Sequence, residues 1–442
     1  MLIKVQNKVF FPIIILMIIQ SFVSSELFWM LGFALLAVIV IFKDNCKLKL
    51  PFSEYKIFFV FLAWGLVLGG WLFLNNENDA RDYLRDVFYY STSAIYIYIG
   101  AYYAKKGVDV YSILNSFIIS AAIVSSIDVY RLLLNGRAYL QNADMHGWRS
   151  VTGGGAIVIG VALSIVLSNM IPKDRQLPKI VRFVCISITA LYFVISLSRT
   201  NLLIMAVMTI VFALHSDNIK MVIKRLFVII ILGLIAIWVM SVILPAGIIK
   251  EYVNKIFDAF TEIQSSNEWN PNTIQQNWRG YENYSAFRMW EDSPLFQQLF
   301  GNGFGKRIYV GRYAFTLLGQ RLSDGTPAES IAVLHNGYAT QLIKLGLMGV
   351  LAYVYLYFKM IKKAYRWFRM THDIESLLLL GTVIVLLIQT YFLNGLFRDY
   401  CFYPFIIIIG YSFGKLQMRK YTYNKGILIS GKQYKIKSFQ NY

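Results

Sequence analysis

Between residues 9 and 414 the chain repeats one arrangement: an apolar run about as long as a bilayer is thick, a few polar residues, then another apolar run. The runs are 9–23, 27–42, 57–74, 87–104, 110–134, 151–171, 184–197, 202–215, 226–246, 341–360, 377–397 and 402–414. With 57% hydrophobic and only 15% charged residues in 442, and a mean hydropathy of +0.53, a single water-soluble core could not hide them. Hydrocarbon offers no water to backbone amides and carbonyls, so runs of this kind must be helical. The expected fold is an all-α polytopic membrane protein with roughly twelve transmembrane helices.

The formal charge of +19 would suit nucleic acid if it were gathered on one soluble face. Instead the Lys and Arg residues fall at helix ends, so no nucleic-acid partner is expected. Their larger share lies on the side that carries both ends of the chain, which the positive-inside rule makes cytoplasmic. Lys4 and Lys8 precede the first run as in a signal peptide, but a second run follows at once, and both are read as retained spans. Cys46, Cys185 and Cys401 show no paired spacing, which supports neither a disulfide frame nor a zinc site.

Four regions follow: 1–246 with about nine spans, a long external loop over 247–334, three more spans within 335–414, and a basic cytoplasmic tail over 415–442. A loop of that length between two spans is too long for a mere connection, and it is expected to hold short helices of its own and the chemistry.

His335 precedes a helix that runs inward, so free backbone amides and the positive helix end surround its ring. That setting favours an anion and the neutral imidazole that a general base requires. The plainer reading is that His335 and Asn336 simply cap the helix. Arg199 lies in a tight external turn, also at the outer start of an inward helix, where a cation adds to the positive end and makes sense if a phosphate or diphosphate sits between them. Its plainer role is contact with lipid headgroups.

At 100° per residue Arg279 shares a helix face with Asn283, Ala286 and Trp290, whereas Arg288 points to the other side, so only one of the two faces the site. Trp278, Tyr281 and Trp290 are suited to stacking on sugar rings, or to seating an amphipathic helix in the interface. Arg398, in a short external turn, is a reserve phosphate ligand. Asp128 and Arg131 are spaced to pair with each other. His146, beside Trp148 and Arg149, is a weaker candidate base.

GNGFGK at 301–306 lacks the spacing of a phosphate-binding loop and reads as a turn. Asp79, Asp82 and Asp86 could line one helix face and hold a divalent cation for a metal-dependent transferase, but they read first as a solvated acidic loop. No metal or other cofactor is expected.

The run HNGYATQLIKLGLMGVL at 335–351 resembles the HN-x-x-L, then G-x-x-G signature of the bacterial O-antigen ligase and O-antigen polymerase (Wzy) superfamily. RGYENYSAFRMWEDSPLFQQLFGNGFG, beginning at Arg279, is similar to the family's pattern of an Arg, an aromatic stretch, PL and G-x-G. SRT at 198–200 is similar to its SR turn. The likeness covers the chain from about 196 to 351, and departs from the family in the long run 306–334 ahead of the His.

The resemblance implies a GT-C-like glycosyltransferase of the bacterial inner membrane. It would move a glycan from undecaprenyl diphosphate to an acceptor sugar hydroxyl on the periplasmic side, with His335 activating the acceptor and Arg199 and Arg279 holding the diphosphate. Two functions share that chemistry. In a polymerase the acceptor is another lipid-linked repeat unit and the partners include a chain-length regulator and a flippase, whereas in a ligase the acceptor is the lipid A core. A flippase for lipid-linked oligosaccharides is a different class, which would show repeat-related halves and charges near the midplane rather than one charged external layer.

Overall fold

The computed structural model describes residues 8–20, 23, 25–42, 53–74, 80–141, 157–196, 198–214, single positions between 224 and 242, and then 269–319, 321, 325–393, 395–397 and 403–424. Apart from one two-stranded antiparallel sheet and an isolated bridge between Arg321 and Pro327, these residues build helices and the turns between them. Five helical stretches among them are long and apolar enough to cross a membrane: Ser53–Leu72, Val110–Asn135, Lys179–Ser196, Gly337–Thr371 and Ile374–Leu393. Shorter apolar helices are Phe11–Gln20, Leu27–Phe42, Val158–Leu167 and Arg199–Ala213. The expected span 226–246 lies mostly outside the described residues, as do Arg398, His146, Cys46, Cys401 and the basic tail.

The membrane-level helices are α1 (Phe11–Gln20), α2 (Ser25–Phe42), α3 (Lys56–Leu74), α4 (Ala80–Lys105), α5 (Val110–Gln141), α6 (Val158–Leu167), α7 (Lys179–Ser196) and α8 (Arg199–Ala213). The outer layer contributes α9 (Pro271–Gln276), α10 (Trp278–Glu291), α11 (Leu295–Phe300), β1 (Ile308–Tyr309), α12 (Tyr313–Leu318) and β2 (Ser330–Ile331). Three long helices follow: α13 (Gly337–Thr371), α14 (Ile374–Leu393) and α15 (Tyr403–Asn424). The 247–334 region therefore does hold short helices of its own.

α15 lies against α4, α13 against α14, α5 against α7, and α8 between α6 and α14. Small residues permit the closest of these approaches: a Cβ on Gly410 would stand 2.0 Å from the Ile97 carbonyl oxygen. The outward faces are apolar, with Leu133, Phe183, Val67 and Trp71 all strongly exposed. A water-facing protein avoids that pattern and a lipid-facing one requires it.

α13 is two helices joined at a break. Gly346 has φ +68° and ψ −173°, which stops the hydrogen-bond ladder after Leu345 and restarts it at Leu347. The carbonyls of Ile343 and Lys344 are taken up instead by the backbone amides of Asn302 and Gly303, at 2.9 and 2.8 Å. The 301–305 segment is thus a turn, as expected, and it plugs the gap in a membrane helix. Its Phe304 amide donates to the Gly65 carbonyl at 3.0 Å, and the Phe304 ring packs on Tyr90, which in turn stacks on Phe397.

One expectation is overturned here. Asp82 and Asp86 do not form a solvated acidic loop; both are buried on α4 and paired with cations. Spacing alone misled because it shows that the two acids share a helix face, but not that the outer layer closes over that face. Asp79 lies outside the described residues.

Candidate active site

α10 lies across the outer end of α13, and two side-chain bonds join them. Glu282, 1% exposed, accepts from the backbone amide of His335 through Oε2 at 3.1 Å. The same carboxylate meets His335 Nδ1 at 2.9 Å (Oε2) and 3.0 Å (Oε1). One residue further, Asn336 donates from Nδ2 to Asn283 Oδ1 at 3.0 Å. Glu282 and Asn283 are neighbours on the helix, so α10 grips the HN pair with two consecutive side chains.

A carboxylate only accepts hydrogen bonds, so Nδ1 of His335 carries the proton that bonds to Glu282 and a neutral ring keeps its lone pair on Nε2. The ring is 30% exposed while its partner is sealed from solvent. One nitrogen is thus anchored in the protein, an arrangement that an oriented general base requires. The positive end of α13 and the negative carboxylate act on the imidazole with opposite sign, so the helix field reasoned from sequence is only half of its environment.

Asn336 does cap α13: its Oδ1 accepts from the amides of Tyr338 at 2.9 Å and Ala339 at 3.3 Å. The capping reading thus holds for Asn336, and His335 has a separate partner.

Asn283 and Asn336, the sequence neighbours of Glu282 and His335, line a cavity of about 840 Å³. Asn283, Arg288, Glu291 and Asn336 give it a polar end; Tyr284, Phe287 and Trp290 give it an aromatic wall. Leu342, Leu347 and Val350 carry it down α13, where Leu347 and its neighbours Met348 and Leu351 are exposed on the apolar outside of the bundle. The cavity therefore runs from a polar, hydrogen-bonding end to exposed apolar side chains of α13. A molecule with a polar head and an apolar tail matches that gradient.

Each arginine has a definite place. Arg288, which the helical wheel turned away, lines the cavity; it forms a loose ion pair with Glu291 at 3.7 Å and lies over the Tyr284 ring. Hydrogen bonding to Tyr284, with the nearby Glu291 charge, raises its already high pKa. Asn283, Ala286 and Trp290 also line the cavity, so side chains from both sides of the wheel reach it, but of the two arginines only Arg288 is among its lining residues. Arg279 is half-buried in the first turn of α10, on the face that carries Glu282 one turn later. Arg199 opens α8, which Ser198 caps by accepting from the Asn201 amide at 3.3 Å. α8 packs on α6 and α14, whereas α10 packs on α13. Arg131 is paired with Asp128 at 3.3 Å, as its spacing implies.

The aromatic residues divide. Trp290 lines the cavity and ties its indole N–H to the Gln298 carbonyl at 2.9 Å. Trp278 and Tyr281 instead pack into a separate apolar cluster with Ile308, Val310 and Leu334, where burial pushes the Tyr281 phenol above its ordinary pKa. Tyr284 and Phe287, aromatic residues of the same stretch, line the cavity, whereas Trp278 and Tyr281 do not.

Sequence reasoning missed Glu282, although it lies three residues after Arg279 on a helix already singled out. The available signal was an acid on a face otherwise lined by Trp278 and Ala286, which demands a buried partner. No family model matches this chain, and no curated protein matches it.

Proposed function

We propose that the protein is a membrane-embedded glycosyltransferase that polymerises a surface polysaccharide, an O-antigen polymerase of GT-C-like architecture with roughly twelve spans in the bacterial inner membrane. The observation that carries this reading is the Glu282–His335 pair, next in sequence to Asn283 and Asn336, which line a cavity that also reaches the exposed apolar residue Leu347. A buried acid orienting an imidazole serves a proton-transfer reaction, and the cavity's gradient suits a lipid-linked substrate.

In this reading His335 Nε2 takes the proton of an acceptor sugar hydroxyl on one lipid-linked repeat unit. The hydroxyl oxygen bonds to the anomeric carbon of the glycan on a second lipid, and the bond from that carbon to undecaprenyl diphosphate breaks. Arg199 and Arg279 take up the charge on the departing diphosphate. Arg288, Tyr284 and Trp290 bind the sugar nearest the lipid. The imidazolium returns its proton to solvent, and no cofactor takes part.

A strain carrying His335→Ala is expected to display single repeat units with no ladder while the protein stays in the membrane. A normal ladder refutes the assignment. Bare lipid A core, with polymer left on the carrier lipid, reassigns the same site to ligation.

A further inference from the structure

Lys344 is the anomaly in the run HNGYATQLIKLGLMGVL: a cation among apolar residues, on the part of α13 that directly follows the HN pair. Ionisable residues at such depth are rare without a specific role. Its side chain is 1% exposed and its ammonium pairs with Asp86 Oδ2, on a carboxylate 2% exposed. The same oxygen accepts the Gly305 amide at 2.8 Å. One helical turn away, Asp82 takes Arg307 Nη1 at 2.7 Å and Arg85 Nη2 at 2.5 Å. Arg307 then reaches Ser330 of β2, through Nε to the hydroxyl at 2.9 Å and through Nη2 to the carbonyl at 2.6 Å.

These bonds converge on a small body. The break at Gly346 detaches Gly337–Leu345 from the rest of α13, so this half-helix has its own ends. Its upper end is the Asn336 cap, next to His335 held by Glu282. Its lower end is Lys344, whose charge faces Asp86 and whose carbonyl is held by the Gly303 amide. A cation at this end also suits the negative helix terminus. Ala339 and Leu342 of the same body line the cavity, and Leu347 and Val350 below the break line it too.

We propose that Lys344 and Asp86 are positioning residues for His335: their ion pair fixes the height and rotation of the half-helix, and so sets where the imidazole stands against Glu282 and the cavity. The pair needs no part in binding or chemistry. A buried ion pair retained only for stability is replaceable by neutral groups with function intact, whereas a positioning pair is not. The catalytic part of this inference rests on the transferase reading; the geometric part does not.

The test uses the full-length protein in lipid nanodiscs and the neutral double variant Lys344→Met/Asp86→Asn, which avoids a lone buried charge and keeps an acceptor for Gly305. Two quantities are read: transfer kinetics with a lipid-linked donor, and the rate at which diethyl pyrocarbonate modifies His335, followed by peptide mass spectrometry. The expected result is kcat lower by roughly 10- to 100-fold, as for a misplaced reacting group. The donor KM should change less than kcat, because the cavity wall that α10 supplies through Tyr284, Arg288 and Trp290 stays in place. His335 modification should speed up toward the rate of Glu282→Gln, since the ring is released from its anchor. Wild-type kcat together with wild-type His335 reactivity overturns the proposal. If the double variant does not accumulate, Lys344→Arg takes its place. It keeps the charge but lengthens the tether, and it must shift His335 reactivity; an unchanged rate overturns the proposal equally. If wild-type protein transfers no glycan but the reactivity shift is present, the transferase reading fails and the positioning role stands.

Discussion

A carboxylate that binds both the ring and the backbone amide of one residue cannot become an amide at no cost. In Glu282→Gln the side-chain oxygen can still accept one of these bonds, but the negative charge that stabilises a protonated His335 is gone. Polymer formation is expected to fall roughly 100-fold or more, within the span attributed to acid–base groups, with membrane abundance within about two-fold of wild type. Quantitative ladder analysis against immunoblotted membranes checks this, and full activity in Glu282→Gln removes the oriented base from the mechanism. At this scale the sequence was legible where a residue announces itself by its neighbours. His335 and Asn336 stood out as polar residues at the mouth of an apolar run, and the Asp128–Arg131 spacing implied the pair that forms. Glu282 did not stand out, because its partner is fifty-three residues away and only the fold brings them together. The helical wheel left open which of Arg279 and Arg288 meets the site, and only the fold picks Arg288 for the cavity, which collects side chains from both sides of α10.

Hydropathy treats residues 341–360 as one span, and the break at Gly346 is invisible to it because glycine interrupts an apolar run without adding charge. Two facts that only the backbone supplies make the break. The left-handed φ is one, and contact with the 301–305 turn is the other: a Cβ on Gly346 would stand 2.4 Å from the Leu299 carbonyl oxygen and 2.5 Å from the Gly301 amide. Gly319 separates these effects, since it has φ +64° but open space around its Cα. Gly319→Ala should therefore cost only the left-handed strain of about 1–2 kcal/mol. Gly346→Ala adds a backbone collision that no rotamer relieves, and its ψ lies in a region essentially reserved for glycine. The expected outcome in detergent is a modest drop in thermal midpoint for Gly319→Ala, and loss of folded protein or a far larger drop for Gly346→Ala. Equal effects would mean that the close approach of α13 to the turn is not what shapes the break. The turn itself was legible from its glycines; its role as the plug in a broken helix was not, because that role lies in Asn302 and Gly303 amides pointing at carbonyls of a distant element.

Across the whole molecule the two ends differ in kind. One gathers Lys8, which donates to the carbonyls of Asp174 and Gln176 at 2.8 and 2.6 Å, with Asn115 bonded to the carbonyls of Lys8 and Arg175. The pairs Arg419–Glu375 at 3.1 Å and Lys363–Glu54 at 3.0 Å involve basic residues in the C-terminal parts of α15 and α13. The other end is the layer over 269–336 with its two-stranded sheet, aromatic cluster and candidate base. The cations at helix ends predict which of these ends faces the cytoplasm. The number of spans is less legible in the sequence, since α4 is rich in tyrosine and α6 and α8 are shorter than a bilayer is thick. Orientation can be measured without any functional assay. With Cys46, Cys185 and Cys401 replaced, a cysteine at exposed Tyr309 is expected to react with a membrane-impermeant maleimide on intact spheroplasts, and one at exposed Lys173 only after lysis. α5, which climbs from the Lys173 end, has 32 residues and spans about 48 Å at 1.5 Å each, enough to carry its far end through the hydrocarbon. The reverse labelling pattern would put His335 on the cytoplasmic side, away from any glycan on the outer leaflet, and the transferase reading would fall with it.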